Sequence, residues 1–384
     1  WNEIINKTYG RGLQIVHLDV AAKFGLIAPI GISFYTLEAI GYLIDVSRGK
    51  YPAEKSFWRF AAFLSFFPNI MSGPIERGDH FLGQLREITK KKRRELLNYD
   101  RVMQGLIAML LGYGMKLIVA QRAEILVNQV YSMYQDANSF TMLMAALFYA
   151  VQIYCDFASY SMIAVGVGRL FGFELVQNFK QPYFARNLTD FWRRWHISLG
   201  RWFRDYVYIP LGGSRVSTPK CIRNLLIVWI LTGLWHGASW TFVAWGLYHG
   251  ILLLLEKYPL KGILAKTPSP ICHILTLLAV IVGWVLFFSP DFSSAIFYLG
   301  RMFGAGSRAF WDSTAKYYFA ANWKLLVLGI LGCGPWIRTL YRHLVFSRRS
   351  PGLVLSALLL IGIFLLCIPY MTNATYQSFL YAQF

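Results

Sequence analysis

FGLIAPIGISFYTLEAIGYLIDV, residues 24–46, is nearly all apolar, interrupted by Pro29, Gly31 and Glu38. At ~1.5 Å of rise per residue it is long enough to cross a bilayer as a helix. A carboxylate inside such a segment is costly in lipid, so Glu38 is expected to face protein or water. The rest of the chain has the same character. Its 384 residues are 56% hydrophobic and 17% aromatic, and 15% are charged, against roughly 25% in soluble domains. These values define a polytopic membrane protein. The +19 formal charge is concentrated beside apolar runs, which fits the rule that cytoplasmic flanks are basic and excludes nucleic-acid binding as the main reading. Cys155, Cys221, Cys272, Cys333 and Cys367 show no CxxC spacing and read as small buried hydrophobes.

Residues 57–75, FWRFAAFLSFFPNIMSGPI, are broken by Pro68, Gly73 and Pro74. They predict a re-entrant or interfacial element supported by neighbouring protein. REITKKKRREL (86–96) is the densest basic run and anchors the topology on the cytoplasmic side. From it, residues 102–120 go out, 121–139 form an outer segment with Asp136 and Asn138, and 141–170 return to Arg169. Residues 224–240 and 241–255 are expected to dip in and back, because both flanks (Lys220, Arg223; Lys257, Lys261, Lys266) are basic. Residues 272–289 go out, 323–341 come in to Arg342, His343, Arg348 and Arg349, and 352–370 go out again. Every basic cluster lands on one side. Residues 1–23 are mixed, with an amphipathic helix expected over 13–22.

Asn187 to Gly250 carries two Trp-His pairs, Trp195-His196 and Trp235-His236, among bulky aromatics. On a helical wheel Trp192, Trp195, Leu199, Trp202, Phe203 and Tyr206 share a stripe with His196 at its edge, and Arg193, Arg194, Arg201 and Arg204 fall opposite. Such a helix belongs where packed protein or hydrocarbon meets an anionic layer. A histidine in an apolar stretch is often only a packed core residue. Gly233 and Gly237, which let a substrate or another backbone approach, and the basic face beside His196 favour a reactive role. There is no GxSxG elbow and no Cys patterned with a His, so direct transfer between two bound substrates is simpler than a covalent acyl-enzyme. The seven histidines form no HExxH, no metal site is expected from His196, His236 and His249, and no Walker A or dinucleotide fingerprint appears.

FWRRWHISLGRWFRDYVYIPLGGSR (191–215), LTGLWHGASWTFVAWGLYHG (231–250), PIGISFYTLEAIGYLIDV (29–46), FFPNIMSGPIER (66–77) and FLYAQF (379–384) resemble the membrane-bound O-acyltransferases, in the branch of the bacterial alginate O-acetyltransferase membrane subunits. The resemblance runs along nearly the whole chain. It implies one all-α domain over 1–384: a ring of tilted transmembrane helices with re-entrant segments around a central funnel or tunnel, in the bacterial cytoplasmic (inner) membrane. Full-length relatives usually carry further N-terminal membrane helices, so the numbered chain is expected to lack some. The family histidine falls on His236 and the second, commonly required one on His196. One departure is Met162, where the branch reads close to DFSGYSDMAIG and an aspartate is expected.

The expected reaction moves an acyl group, acetyl in the leading reading, from a cytoplasmic thioester to a hydroxyl of an extracytoplasmic polysaccharide or partner protein. His236 acts as general base, and His196 polarises the acyl carbonyl or orients the acceptor. Arg193, Arg194 and Arg201 draw a phosphorylated donor, acetyl-CoA or a phosphopantetheine-linked acyl carrier, by charge pairing, or else contact lipid phosphates. Asn187, Asp190, Trp195 and Trp235 complete the candidate binding set. No tightly bound cofactor is expected; the expected partners are membrane lipids, the thioester donor, an extracytoplasmic accessory protein and a cell-surface polysaccharide. The alternatives are D-alanyl transfer to teichoic acid and transport of a polymer or lipid-linked sugar. IPLGGSR favours the alginate-like branch over the D-alanyl one.

Overall fold

The computed structural model describes residues 31–91, 98–306, 309–336, 339–340, 342 and 350–372. The expected helix over 13–22, residues 24–30 of the first apolar segment, residues 92–96 of the basic run, His343, Arg348, Arg349 and the terminal FLYAQF lie outside them. The described residues are helical, with no strand among them.

Among the described residues four helices are long and apolar enough to cross a membrane: α5 (Tyr99–Ser132), α6 (Ser139–Leu170), α12 (Ser269–Phe288) and, within α15 (Ser350–Thr372), Val354–Thr372. Their burial separates their roles. The apolar window of α6 is 83% buried, so α6 is the central post; that of α15 is 6% buried, so the described residues leave most of its apolar surface uncovered. α6 is apolar on all faces, as a helix enclosed by others must be, and it packs against α5, α12, α13 (Phe292–Met302) and α14 (Ser313–Cys333). Its approach to α5 depends on two glycines. A Cβ on Gly105 would lie 2.7 Å from the Gly166 carbonyl, and one on Gly166 2.7 Å from that of Gly105. Small residues at a crossing let two membrane helices come this close.

α1 (Ile32–Ser47) follows Gly31, whose φ of 76° suits glycine. Glu38 is buried as expected and accepts a 2.8 Å hydrogen bond from the Glu76 backbone N–H. Seven residues on, Asp45 accepts from the Tyr206 hydroxyl at 2.8 Å. The two carboxylates mark the face that α1 turns inward. Residues 57–75 are broken into α2 (Phe57–Leu64) and α3 (Phe67–Ile70), separated at Ser65 and Phe66 ahead of Pro68. α4 (Gly78–Lys90) leads into the basic run.

Two expectations are corrected here. No outer segment separates at 121, because α5 runs on as one 34-residue helical stretch to Ser132. It contains a π-helical turn, Met115–Ala120, where the buried Lys116 pairs with Asp156 of α6. Widened turns of this kind absorb a local misfit without ending a helix. The amphipathic helix drawn through 192–206 is also not continuous. It is α7 (Leu188–Arg194), a reversal at His196, α8 (Ile197–Phe203) and a π turn, Arg204–Tyr208. The sorting of residues survives: Trp195, Leu199, Trp202, Phe203 and Tyr206 are buried, and Arg193, Arg201 and Arg204 are exposed.

Residues 224–255 fold as an antiparallel hairpin of α9 (Thr218–His236) and α10 (Trp240–Lys257). A Cβ on Gly246 would lie 2.3 Å from the Trp229 carbonyl, and one on Gly233 2.4 Å from that of Phe242. α11 (Lys261–Lys266) turns the chain into α12. The inward segment expected at 323–341 begins earlier, as α14, and falls short of the apolarity of the four spans.

Candidate active site

His196 occupies a left-handed backbone position, φ 42° and ψ 56°. A residue with a Cβ adopts this at a cost of ~1–2 kcal/mol, and such strain persists only where the surroundings enforce it. Asn178 enforces it. Its carbonyl accepts the Ile197 N–H at 2.9 Å, and its side-chain Oδ1 accepts both the Ser198 N–H (3.3 Å) and the Ser198 hydroxyl (2.6 Å). The Ser198 Oγ in turn accepts the Ile75 N–H at 3.0 Å, and the Asn178 amide donates to Ser161 of α6 at 3.2 Å. One asparagine therefore fixes the backbone on the far side of His196 to two other elements. The imidazole lies edge-on to Phe157, with centroids 4.7 Å apart. It is 3% exposed, and its Nε2 has no hydrogen-bond partner.

His236 closes α9. Its ring meets Trp245 at 5.1 Å, Phe287 at 5.1 Å and its neighbour Trp235 at 4.9 Å. Trp235 stands 5.8 Å from the His196 ring, so it lies against both imidazoles.

Both histidines line one cavity of about 1420 Å³. It follows the stripe Leu225, Val228, Trp229, Thr232 and His236 along α9, a run of ~16 Å at helical rise. On α10 it runs the opposite way, from Trp245 to Glu256 and Lys257. Its inner end is aromatic and holds the imidazoles, while its mouth carries Lys180, Arg186, Arg193, Arg201, Arg204, Lys257 and Lys261. Glu256 is the carboxylate among the lining residues. It accepts the Leu188 N–H (2.8 Å), the Thr189 N–H (3.1 Å) and the Thr189 hydroxyl, capping the start of α7. The mouth is thus strongly positive, and walls of low dielectric focus such a field on an incoming anion.

Of the residues singled out in the sequence, Asn187, Arg193, Trp195, His196, Arg201 and His236 share this cavity. Arg194, Asp190 and Trp235 do not line it. Arg194 pairs with Asp190 at 2.9 Å one helical turn away, and Asn187 caps α7 by accepting the Asp190 N–H at 2.7 Å. His249 lies outside the cavity, packed edge-on to Trp192 (4.8 Å) and Trp245 (5.2 Å). Among the described residues no three His, Cys, Asp or Glu side chains are grouped to hold a metal. Asn178, Lys180, Arg186 and the capping role of Glu256 were not foreseen. Asn178, Lys180 and Arg186 come from the segment just before α7 and Glu256 from the end of α10, outside the stretch 187–250 that drew notice.

Asn178→Ala is expected to lower turnover at least ~10-fold with a smaller change in substrate affinity, because a misplaced group near the chemistry costs rate first. Asn178→Asp, which keeps Oδ1, should retain more activity. Steady-state kinetics of the two variants checks this; equal turnover in wild type and Asn178→Ala would deny the clamp any part in function.

The polytopic helical body and a two-histidine cavity with a cationic mouth place the chain in one class. It belongs to the membrane-bound O-acyltransferase family, which it matches over residues 49–298. It is 34% identical over 374 residues to a probable alginate O-acetylase AlgI of Pseudomonas putida, covering 94% of this chain and 76% of that protein. It is 32% identical over 306 residues to a peptidoglycan O-acetyltransferase of Helicobacter pylori, covering 73% of this chain and 57% of the relative. With a teichoic acid D-alanyltransferase of Bacillus subtilis it shares 30% identity over 246 residues, 61% of this chain and 60% of the relative. The chain therefore spans between about half and three quarters of the relatives it matches.

Proposed function

We propose that the protein transfers an acetyl group from a thioester donor to a hydroxyl of a cell-surface polysaccharide, or of a partner protein that passes it on. The observation that carries this is the single cavity with a cationic mouth and both imidazoles at its inner end. A coenzyme A or phosphopantetheine donor has matching polarity: phosphates at one end and the thioester at the other, joined by a flexible arm. With its phosphates on Arg193, Arg201 and Lys257, the arm extends along α9 and delivers the carbonyl to the histidines. His236 takes the proton of the acceptor hydroxyl as its oxygen bonds to the carbonyl carbon. The unpartnered Nε2 of His196, carrying its proton, donates to the oxygen on which negative charge develops. The C–S bond then breaks, and the proton held by His236 passes to the departing thiolate.

In this reading the protein sits in the bacterial cytoplasmic membrane with the mouth inside, as the basic flanks favour. Its helices ring the cavity, with α2–α3 and the α9–α10 hairpin dipping in from one side. The acceptor approaches the histidines from the other. The relatives are named for alginate, peptidoglycan and teichoic acid, which supports a surface polymer as acceptor.

Membrane vesicles given an acetyl thioester labelled in the acetyl carbon and a set of surface polysaccharides should yield a labelled, base-labile ester. Movement of unmodified polymer with no label would favour transport and end the proposal. The arginines make a further prediction. Arg193→Gln with Arg201→Gln should raise the donor KM ~10-fold or more with kcat nearly unchanged, as loss of charge-assisted contacts common to ground and transition states does. Part of the effect should vanish at high salt. An unchanged KM would assign these side chains to lipid phosphates.

A further inference from the structure

Asn178 can shape the turn at His196 only if Asn178 is itself held. It lies on an irregular strap, residues 173–181, that leads from the end of α6 to the 3-10 turn Pro182–Phe184 ahead of α7. Such backbone has no helical ladder of its own, so its polar groups must find partners on other elements. The Val176 N–H finds one in Oε1 of Glu76, at 2.7 Å. Glu76 is 2% exposed and sits in the connection between α3 and α4. Its own N–H is fixed on Glu38 of α1, and the neighbouring Ile75 N–H on the Ser198 hydroxyl. Residues 75 and 76 therefore grip both sides of the histidine: Ser198 just after it, and the strap just before Asn178. Gln84 of α4 adds a second hold on the strap, accepting the Glu174 N–H at 2.7 Å and donating to the Glu174 carbonyl at 3.2 Å.

A buried carboxylate needs more than one backbone N–H to offset its lost hydration. His80 supplies the rest, its Nδ1 lying 2.7 Å from Oε2 of Glu76. The His80 side chain is 43% exposed, so it is the part of this chain of contacts that meets solvent. The charged groups around it are Glu76, Asp79, which pairs with Lys50 at 3.4 Å, and Glu174 of the strap. The hydrogen bond to Glu76, helped by the charges of Glu76, Asp79 and Glu174, raises the His80 pKa above its ordinary value against the opposing effect of burial.

We infer that Glu76, braced by His80, is a positioning residue for acyl transfer: it pins the strap at Val176 so that Asn178 keeps the His196 ring in register with the cavity. The inference rests on the transfer reading above. A purely apolar packing role would not call for a carboxylate at a position where burial penalises it. The brace has a defined sign with pH. It is strongest while His80 is charged, and it weakens as pH rises through the raised His80 pKa, because a charge-assisted hydrogen bond is roughly twice as strong as a neutral one.

The test uses the full chain in detergent, with labelled acetyl thioester and acceptor, turnover per folded molecule and amide hydrogen exchange. Glu76→Ala should lower kcat ~10-fold or more with the donor KM within ~2-fold, as misplacement near the chemistry does. Glu76→Gln, which keeps an acceptor for the Val176 N–H, should restore most of that loss. For His80→Gln the ratio of wild-type to variant kcat should be about 3 near pH 6 and fall to about 1 near pH 9. Titration of the site histidines is common to both proteins and cancels in that ratio. Exchange at the Val176 and Ile197 amides should be about 10-fold faster in Glu76→Ala, as a local opening would make it. If the alanine variant does not fold, Glu76→Gln and the exposed His80→Gln still decide the matter through the pH ratio, which Glu76→Gln should reproduce. An unchanged kcat in Glu76→Ala, even with a lowered Tm, would make Glu76 structural only and overturn the inference. So would unchanged exchange at Ile197, or a ratio that does not vary with pH. No labelled ester from the wild type would overturn the transfer reading and this inference together, whereas transfer that ignores Glu76 overturns the inference alone.

Discussion

His236→Ala is expected to lower acyl transfer by ~10²–10⁴-fold, the usual worth of a positioned proton acceptor. The ring ends α9 against Trp245 and Phe287, so its removal leaves a small hole at the inner end of the cavity and should leave the fold intact. The loss should appear in kcat and in kcat/KM alike, because the proton moves only as the new bond forms. Donor affinity should change little, since the mouth lies some ten residues away along the helix. His196→Ala should fall in the same range without adding fully to the first, as groups acting in one step do not contribute independently. The measurement is single-turnover transfer from a labelled thioester by protein that elutes as a monodisperse species. A loss of only a few-fold in His236→Ala would remove the proposed base.

Lys116→Met is expected to have the largest effect on stability. Lys116 is 1% exposed and is paired with Asp156, 3% exposed, at the π turn of α5. Removing one partner of a buried pair strands the other charge, which costs ~3–5 kcal/mol. The double variant Lys116→Met with Asp156→Leu should recover much of that loss, because removing both members of the pair strands neither of them. Thermal unfolding in one detergent across the cycle checks both statements. A double variant as unstable as the single one would show that the pair's other contacts, not the stranded carboxylate, set the penalty.

What could be read from the chain alone followed from how local each feature is. The span at 141–170 emerged as α6 nearly to the residue, because an apolar run of that length has one outcome in lipid. Glu38 was placed inward on the same reasoning and was found there. The stripe through 192–206 sorted buried from exposed residues correctly yet implied an unbroken helix. The break is made by Asn178, a residue about 20 positions upstream, and periodicity carries no trace of it. The two histidines were legible from the Trp-His pairs, whereas Lys180, Arg186 and Lys257 gained meaning only once the hairpin and the strap met at one opening. Segment 121–139 was misread because nothing in its composition distinguishes a helix that ends from one that widens by a single residue.

The left-handed turn at position 196 has a last consequence. Glycine would accept φ 42° freely, so a chain shaped only to resist melting would place glycine there. The imidazole is retained in a conformation its own backbone resists, and resilience to heat and competence in chemistry are set against each other at that one residue.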